Sequence, residues 1–325
     1  MRIAFTSCMS AYSFPDQPVW DQIAQAQCDE LVLLGDSAYY DADGQSTAAI
    51  QAMDANTFAL HAHERLYKQV SHPGFSALVK SPTLRTHAIW DDHDFLWNGS
   101  CGAQIEGQPQ YSHLLPPTRA VFARYRKALA ARFAPGSFPQ VPPPWAANVP
   151  APGYSNVPLA NDVLLHLTDG RSFKSARGRK ALMGGKQLDA FEAACANASP
   201  DTVHLLASGV VFEANSGETW LDCAAEHERL LALADKYRIL MLSGDVHHNK
   251  ITQYPTERGR LLFEATASGA AICTLVTLGA LQCNWGVLDI DADRITVQVF
   301  QKNPATLPQT IDRKNWRWVT QQAGA

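Results

Sequence analysis

Short apolar runs bounded by turn residues alternate along this chain with stretches whose apolar positions recur at helical spacing. RIAF at 2–5 reads as a first strand, and a helix follows from about Pro18 to Gln27. ELVLLGD at 30–36 is apolar up to its last residues, the pattern of a strand covered on both faces. Residues 54–70 read as a helix with Asp54 as its N-cap. RTHAIWDD at 85–92 is a third strand, and 117–133 a basic amphipathic helix. DVLLHLTDGR at 162–171, TVHLLASGVVF at 202–212 and RILMLSGDVHH at 238–248 are further strands, with helices over 185–198 and 222–237. LLFEATASG, NWGVLDIDA and RITVQVF, between 261 and 300, read as antiparallel strands. The order is β-α-β early and strand-rich late, which predicts an α/β protein of sheets covered by helices. No repeat and no boundary divides it, so one domain over 1–325 is expected.

One stretch breaks the pattern. Residues 135–158 hold eight of the 19 prolines and no charged residue. Proline lacks the N–H a sheet ladder needs, so an irregular loop inserted at about 134–160 is expected. Phe138, Trp145 and Tyr154 favour a loop that packs over a disordered linker.

The ends of the apolar runs carry the chemistry. They deliver Cys8; then Asp36 with Tyr39; then Asp91, Asp92, His93 and Asp94; then Asp169 and Arg171; then Asp245, His247 and His248. Open α/β sheets bind their ligands beyond the carboxyl ends of the strands. Each residue has a bland alternative: a strand-end Asp as a cap, Cys8 as a small buried apolar group, Arg171 as a solvated loop residue. HAIWDDHDF at 87–95 resists such a reading, because crowded carboxylates after a buried run repel one another and lose hydration. A cation relieves both costs. Carboxylate, imidazole, phenol and thiol together suit a transition metal beside an oxygen-rich site. Asp36 could bridge two ions, Asp92 ligate one, and His93 stand close to the substrate.

Composition narrows the partners. The net charge of −4 and pI of about 6.2 argue against a broad nucleic-acid surface. No apolar run is long enough to span a bilayer, and MRIAFTSC is not a secretory leader. A cytoplasmic protein is expected from the chain as it stands, and a periplasmic or secreted one if a leader precedes it. Seven cysteines without paired spacing suggest reduced thiols. The oligomeric state is not legible, and no GxGxxG opens a helix after the first strand.

LGDSAYY, THAIWDDHDF, LMLSGDVHHNKI and FEATASG, with TSC at 6–8, TDGR at 168–171, LMGGKQLDAF at 182–191 and EHERLL at 226–231, resemble the marker segments of the PhoD-like phosphatases. These form the alkaline phosphatase D group, related to purple acid phosphatases and calcineurin-like metallophosphoesterases. The likeness runs to about residue 270. It implies a four-layer α/β/β/α sandwich around a binuclear centre. By that resemblance Cys8, Asp36, Tyr39 and His247 hold Fe3+. A second divalent cation, Ca2+ first and Mn2+ or Zn2+ as alternatives, shares Asp36 with Asp92 and Asp245. His93 assists the leaving group and Arg171 faces phosphate. The family's DTR reads DGR here, and the superfamily's further histidine has no counterpart in SGVVFE at 208–213.

The expected activity is hydrolysis of small phosphodiesters or phosphomonoesters by a metal-bridging hydroxide, with Asp94 orienting His93. The alternatives are a nuclease or nucleotide-directed phosphodiesterase, and a metal-binding protein without catalysis on the same scaffold.

Overall fold

Along the first strands successive side chains fall to opposite sides, and both sides are apolar. The computed structural model describes residues 1–42, 44–175, 181–215, 218–272, 282–301 and 307–319. Its strands are β1 (Arg2–Thr6), β2 (Glu30–Leu34), β3 (Arg85–Ile89), β4 (Ser155–Ala160), β5 (Val163–Leu167), β6 (Val203–Ser208) and β7 (Arg238–Ser243). There follow β8 (Asn249–Pro255), β9 (Leu261–Ala267), β10 (Trp285–Ile290), β11 (Arg294–Phe300), β12 (Gln309–Asp312) and β13 (Arg317–Trp318). One sheet has the order β13-β12-β11-β10-β1-β2-β3, the other β4-β5-β6-β7-β9-β8. In each, a parallel block lies beside antiparallel strands: β1, β2 and β3 in the first, β5, β6, β7 and β9 in the second.

The alternation explains the layering. Ile3, Phe5, Val32, Leu34 and Ile89 turn inward to meet Leu165, Leu205, Leu240 and Phe263 of the other sheet. Ala4, Leu31, Leu33 and Ala88 turn outward under the helices Val19–Gln25, Ala55–Ser71 and Leu115–Ala130. Leu206, Ile239 and Met241 do the same for the second sheet, beneath Gly185–Asn197 and Ala224–Ala234. Helix, sheet, sheet and helix therefore stack in four layers, as the resemblance implied. Asp54 caps its helix as expected, accepting from the N–H groups of Asn56 and Thr57.

Several expectations need correcting. β9 runs parallel to β7 and is antiparallel only to β8. The helix expected from 222 begins as a 3-10 turn over Trp220–Cys223. Edge strands β4 and β8 were not anticipated. β4 alternates exposed and half-buried positions and contains Pro158, which an edge tolerates. The proline-rich stretch packs: Phe138 is buried against the His63 ring, centroids 4.3 Å apart, and the Trp145 indole donates to Asn56 at 2.9 Å.

Candidate metal centre and active site

The strand exits converge because the backbone turns sharply there. Cys8, Asp36, Asp245 and His247 all adopt left-handed conformations, with φ of 60°, 51°, 68° and 52°. Such backbone costs roughly 1–3 kcal/mol at a non-glycine residue and collects at functional sites. Gly35 supplies a further positive φ of 100°, and a Cβ there would meet Asp91 Cβ at 2.5 Å. Only glycine lets β2 end against Asp91.

Asp36 stands between two groups of donors. On one side its Oδ2 accepts from the Cys8 thiol at 3.4 Å and from the Tyr39 hydroxyl at 3.3 Å, and that hydroxyl lies 3.1 Å from His247 Nε2. On the other, ligand atoms of Asp36, Asp91, Asp92 and Asp245 all lie within 4.8 Å of one another, and those of Asp36, Asp92 and His93 do so too. The first group is thiol, phenol and imidazole; the second is oxygen alone, apart from His93.

Burial makes this crowding costly. It drives the carboxyl groups of Asp36 and Asp245 well above the usual range, and their acidic neighbours add to the rise. Burial also raises the Cys8 thiol and the Tyr39 hydroxyl, and lowers His247 to about 4. For Asp92 burial pushes upward, but Arg171 and His93 outweigh it and hold the carboxylate low. Asp91 Oδ2, Asp92 Oδ1 and Arg171 Nη2 are buried with no hydrogen-bond partner. Buried polar atoms are nearly always paired, so these orphans signal a ligand that completes them. Divalent or trivalent cations beside Asp36 fit both the orphaned oxygens and the donor chemistry.

The residues expected around phosphate differ in detail. Arg171 is fully buried; its Nε donates to Asp91, its Nη1 to Glu218, and its Nη2 lies 3.7 Å from Asp92 Oδ1. It points into the acidic group rather than outward. Lys174 joins the same Glu218 oxygen at 2.5 Å. Asp169 accepts from the N–H groups of Arg171 and Ser172, from the Trp90 indole and from the Gly153 N–H, so it ties the DGR turn to β3 and to the proline-rich loop. Trp90 is accordingly a core residue.

Asp94 does not orient His93. Its two oxygens accept from the N–H groups of Ser37 and Asp91, at 2.9 and 2.6 Å, and so brace two strand-end loops. Asp41 takes the orienting place: its Oδ1 lies 2.6 Å from His93 Nδ1, while its Oδ2 accepts from the Asn98 N–H at 2.8 Å. Burial opposes the charged imidazole, but Asp92 and Asp41 outweigh it and raise His93 to about 10. Asp41 and Glu218 escaped the sequence reading. Asp41 lies two residues past Tyr39 in the same loop, a usable signal; Glu218 lies in a stretch with none. Beside Asp245 and His247 opens a cleft of about 760 Å³, lined also by Glu213, Asn215, His248, Lys250 and Tyr254.

With this arrangement in view, likeness to known proteins becomes informative. A family model described as PhoD-like phosphatase matches residues 3–315. The chain belongs to the PhoD-like phosphatase family. Among solved structures, one titled as the structure of PhoD superposes with a TM-score of 0.67 at 15% identity, covering 100% of this chain and 73% of that one. A dimetal phosphatase from Danio rerio superposes with a TM-score of 0.51 at 12% identity, covering 96% of this chain and 99% of that one. At such identities these likenesses speak for the fold, which is that of the metallophosphatases. No curated protein sequence matches. Family membership makes the protein a metal-dependent phosphoesterase. Among the described residues no helix is long and apolar enough to cross a membrane.

Proposed function

We propose that this PhoD-like phosphatase hydrolyses small phosphodiesters and phosphomonoesters at a two-cation centre organised by Asp36. The observation that carries the proposal is the position of that carboxylate, within reach of the Cys8–Tyr39–His247 group and of Asp91, Asp92 and Asp245. Cys8, Tyr39 and His247 would hold Fe3+ through thiolate, phenolate and imidazole. Asp92 and Asp245 would hold a second cation, Ca2+ first and Mn2+ or Zn2+ as alternatives, and their hard oxygens favour Ca2+ over Zn2+. Bound there, the cation pair supplies a water acidic enough to serve as nucleophile near neutral pH, and charge that offsets the phosphoryl oxygens.

The chain's own residues do the rest. Arg171 Nη2 offers an unused donor to a phosphoryl oxygen, while Asp91 and Glu218 fix the guanidinium plane. His93, held charged by Asp41 and Asp92, donates its Nε2 proton to the departing ester oxygen. The cleft beside Asp245 and His247 gives room to the organic part of the ester.

Asp36→Asn tests the reading, followed by metal content and by hydrolysis of bis-p-nitrophenyl phosphate. Loss of both metal and turnover is expected. Full metal content with full turnover would overturn it, and full metal without turnover in the wild type would favour a binding protein on this scaffold.

A further inference from the structure

A second cluster of metal-ligating side chains lies away from the strand exits, under the opposite helix layer. His166 on β5, His204 on β6 and Cys195 in the last turn of helix Gly185–Asn197 are each at most 1% exposed. One ligand atom of each lies within 4.8 Å of the other two. His166 Nε2 and His204 Nδ1 stand 3.0 Å apart, and the Tyr154 hydroxyl lies 2.7 Å from His166 Nδ1. The phosphatase chemistry uses none of the four.

A hydrogen-bonded histidine pair accounts for the 3.0 Å contact, but not for a thiol brought to the same point. We propose that His166, His204 and Cys195 form a third metal site, a trigonal nitrogen–nitrogen–sulfur site for a soft d10 ion of the Cu(I) class. Three features carry it. The donors are a thiol, which as thiolate selects Cu(I), and two imidazoles, which suit copper. No fourth His, Cys, Asp or Glu completes the group among the described residues, which disfavours zinc, almost always four-coordinate in structural sites. The second ring nitrogen of His166 meets a hydroxyl, the outer contact that ligating histidines ordinarily carry.

The imidazole pair needs little adjustment. Bonds of about 2.0–2.3 Å in a trigonal plane set the donors roughly 3.5–3.8 Å apart. The two imidazole nitrogens would therefore open by about half an ångström, a small ring rotation. One ring proton lies between the two facing nitrogens, and binding shifts it to the other nitrogen of the same ring, which frees both facing lone pairs. On binding, the Cys195 S–H bond breaks as the sulfur–copper bond forms, and its proton passes to solvent. No electron is transferred, since copper enters and remains as Cu(I).

The test is anaerobic titration of the whole protein with Cu(I) against a chromophoric Cu(I) chelator. Cys8→Ser serves as the background, because Cys8 is a second thiol near an imidazole. One Cu(I) per chain is expected in that background, and none after adding Cys195→Ser or His204→Gln. Tyr154→Phe is expected to weaken binding about 10- to 100-fold, the effect of losing a ligand's outer hydrogen bond. Cys195→Ser in the otherwise native chain is expected to keep its phosphodiester turnover. X-ray absorption at the copper edge, on the Cys8→Ser protein alone, gives a reading that does not depend on the further variants folding. One sulfur and two nitrogen neighbours support the site. No bound copper, or copper without a sulfur neighbour, overturns it, as does copper retained in full by a folded Cys195→Ser variant of the background.

Discussion

Two aspartates far apart in the sequence, Asp94 in DDHDF and Asp41 in YYDAD, divide the labour around His93. Asp94 accepts two buried backbone N–H groups, so Asp94→Ala leaves both unsatisfied. A loss on the order of 2–4 kcal/mol of stability is expected, read from the urea midpoint. Asp41 holds the imidazole, so Asp41→Ala is expected to lower kcat about 10- to 100-fold while bound metal stays unchanged. The loss should shrink for esters with good leaving groups such as nitrophenolate, because these need little protonation. Equal slowing across leaving groups would assign Asp41 a purely structural task. Adjacency favoured Asp94 as the orienting residue. A helical turn instead sends its side chain back to the loop amides, and the residue that meets His93 comes from a separate loop.

At the scale of elements, the strand ends were legible because their chemistry is local: an apolar run followed at once by Asp, Cys or His. Strand boundaries and partners were less so. ELVLLGD reads as one run, yet β2 stops at Leu34 because Gly35 must turn with positive φ to clear Asp91. Gly35→Ala is expected to cost on the order of 2–4 kcal/mol from strain and overlap together, with metal content falling alongside. LLFEATASG gave no hint of its parallel pairing, since a fully buried strand has the same apolar pattern in either direction. The layer beneath helix Gly185–Asn197 makes a separate prediction. His204 is depressed to about 4 by burial, and His166 lies well below its usual value through burial and its neighbour. Both are neutral when folded and protonate in the unfolded chain below about pH 6.5. Their contribution is therefore complete above that pH and is lost as pH falls from about 6.5 toward 4. Tyr154, Tyr237 and Cys195 face the pair from the packed elements, and Glu192 lies near Cys195. His204→Gln should flatten part of the pH dependence of the urea midpoint relative to wild type; an unchanged slope would show that the imidazole does not titrate on unfolding.

For the whole molecule, two sheets and two helix layers exist to bring residues from 8, 36, 92, 171, 245 and 247 to one edge. That convergence follows from parallel strands ending on the same side, and the ordered motifs made it readable. What stayed hidden was the ion pairing of Arg171, whose partners Asp91 and Glu218 are 80 and 47 residues distant. Removing the cations returns the repulsion among the buried carboxylates, so chelation is expected to lower the melting temperature and readdition to restore it. The most direct test is anomalous diffraction at the iron edge, on crystals of protein purified without chelating resin. The account predicts one strong peak within bonding distance of Cys8 Sγ, an Asp36 oxygen, the Tyr39 oxygen and a His247 nitrogen. Iron bound elsewhere, or an iron-replete protein with no peak at Asp36, would contradict it.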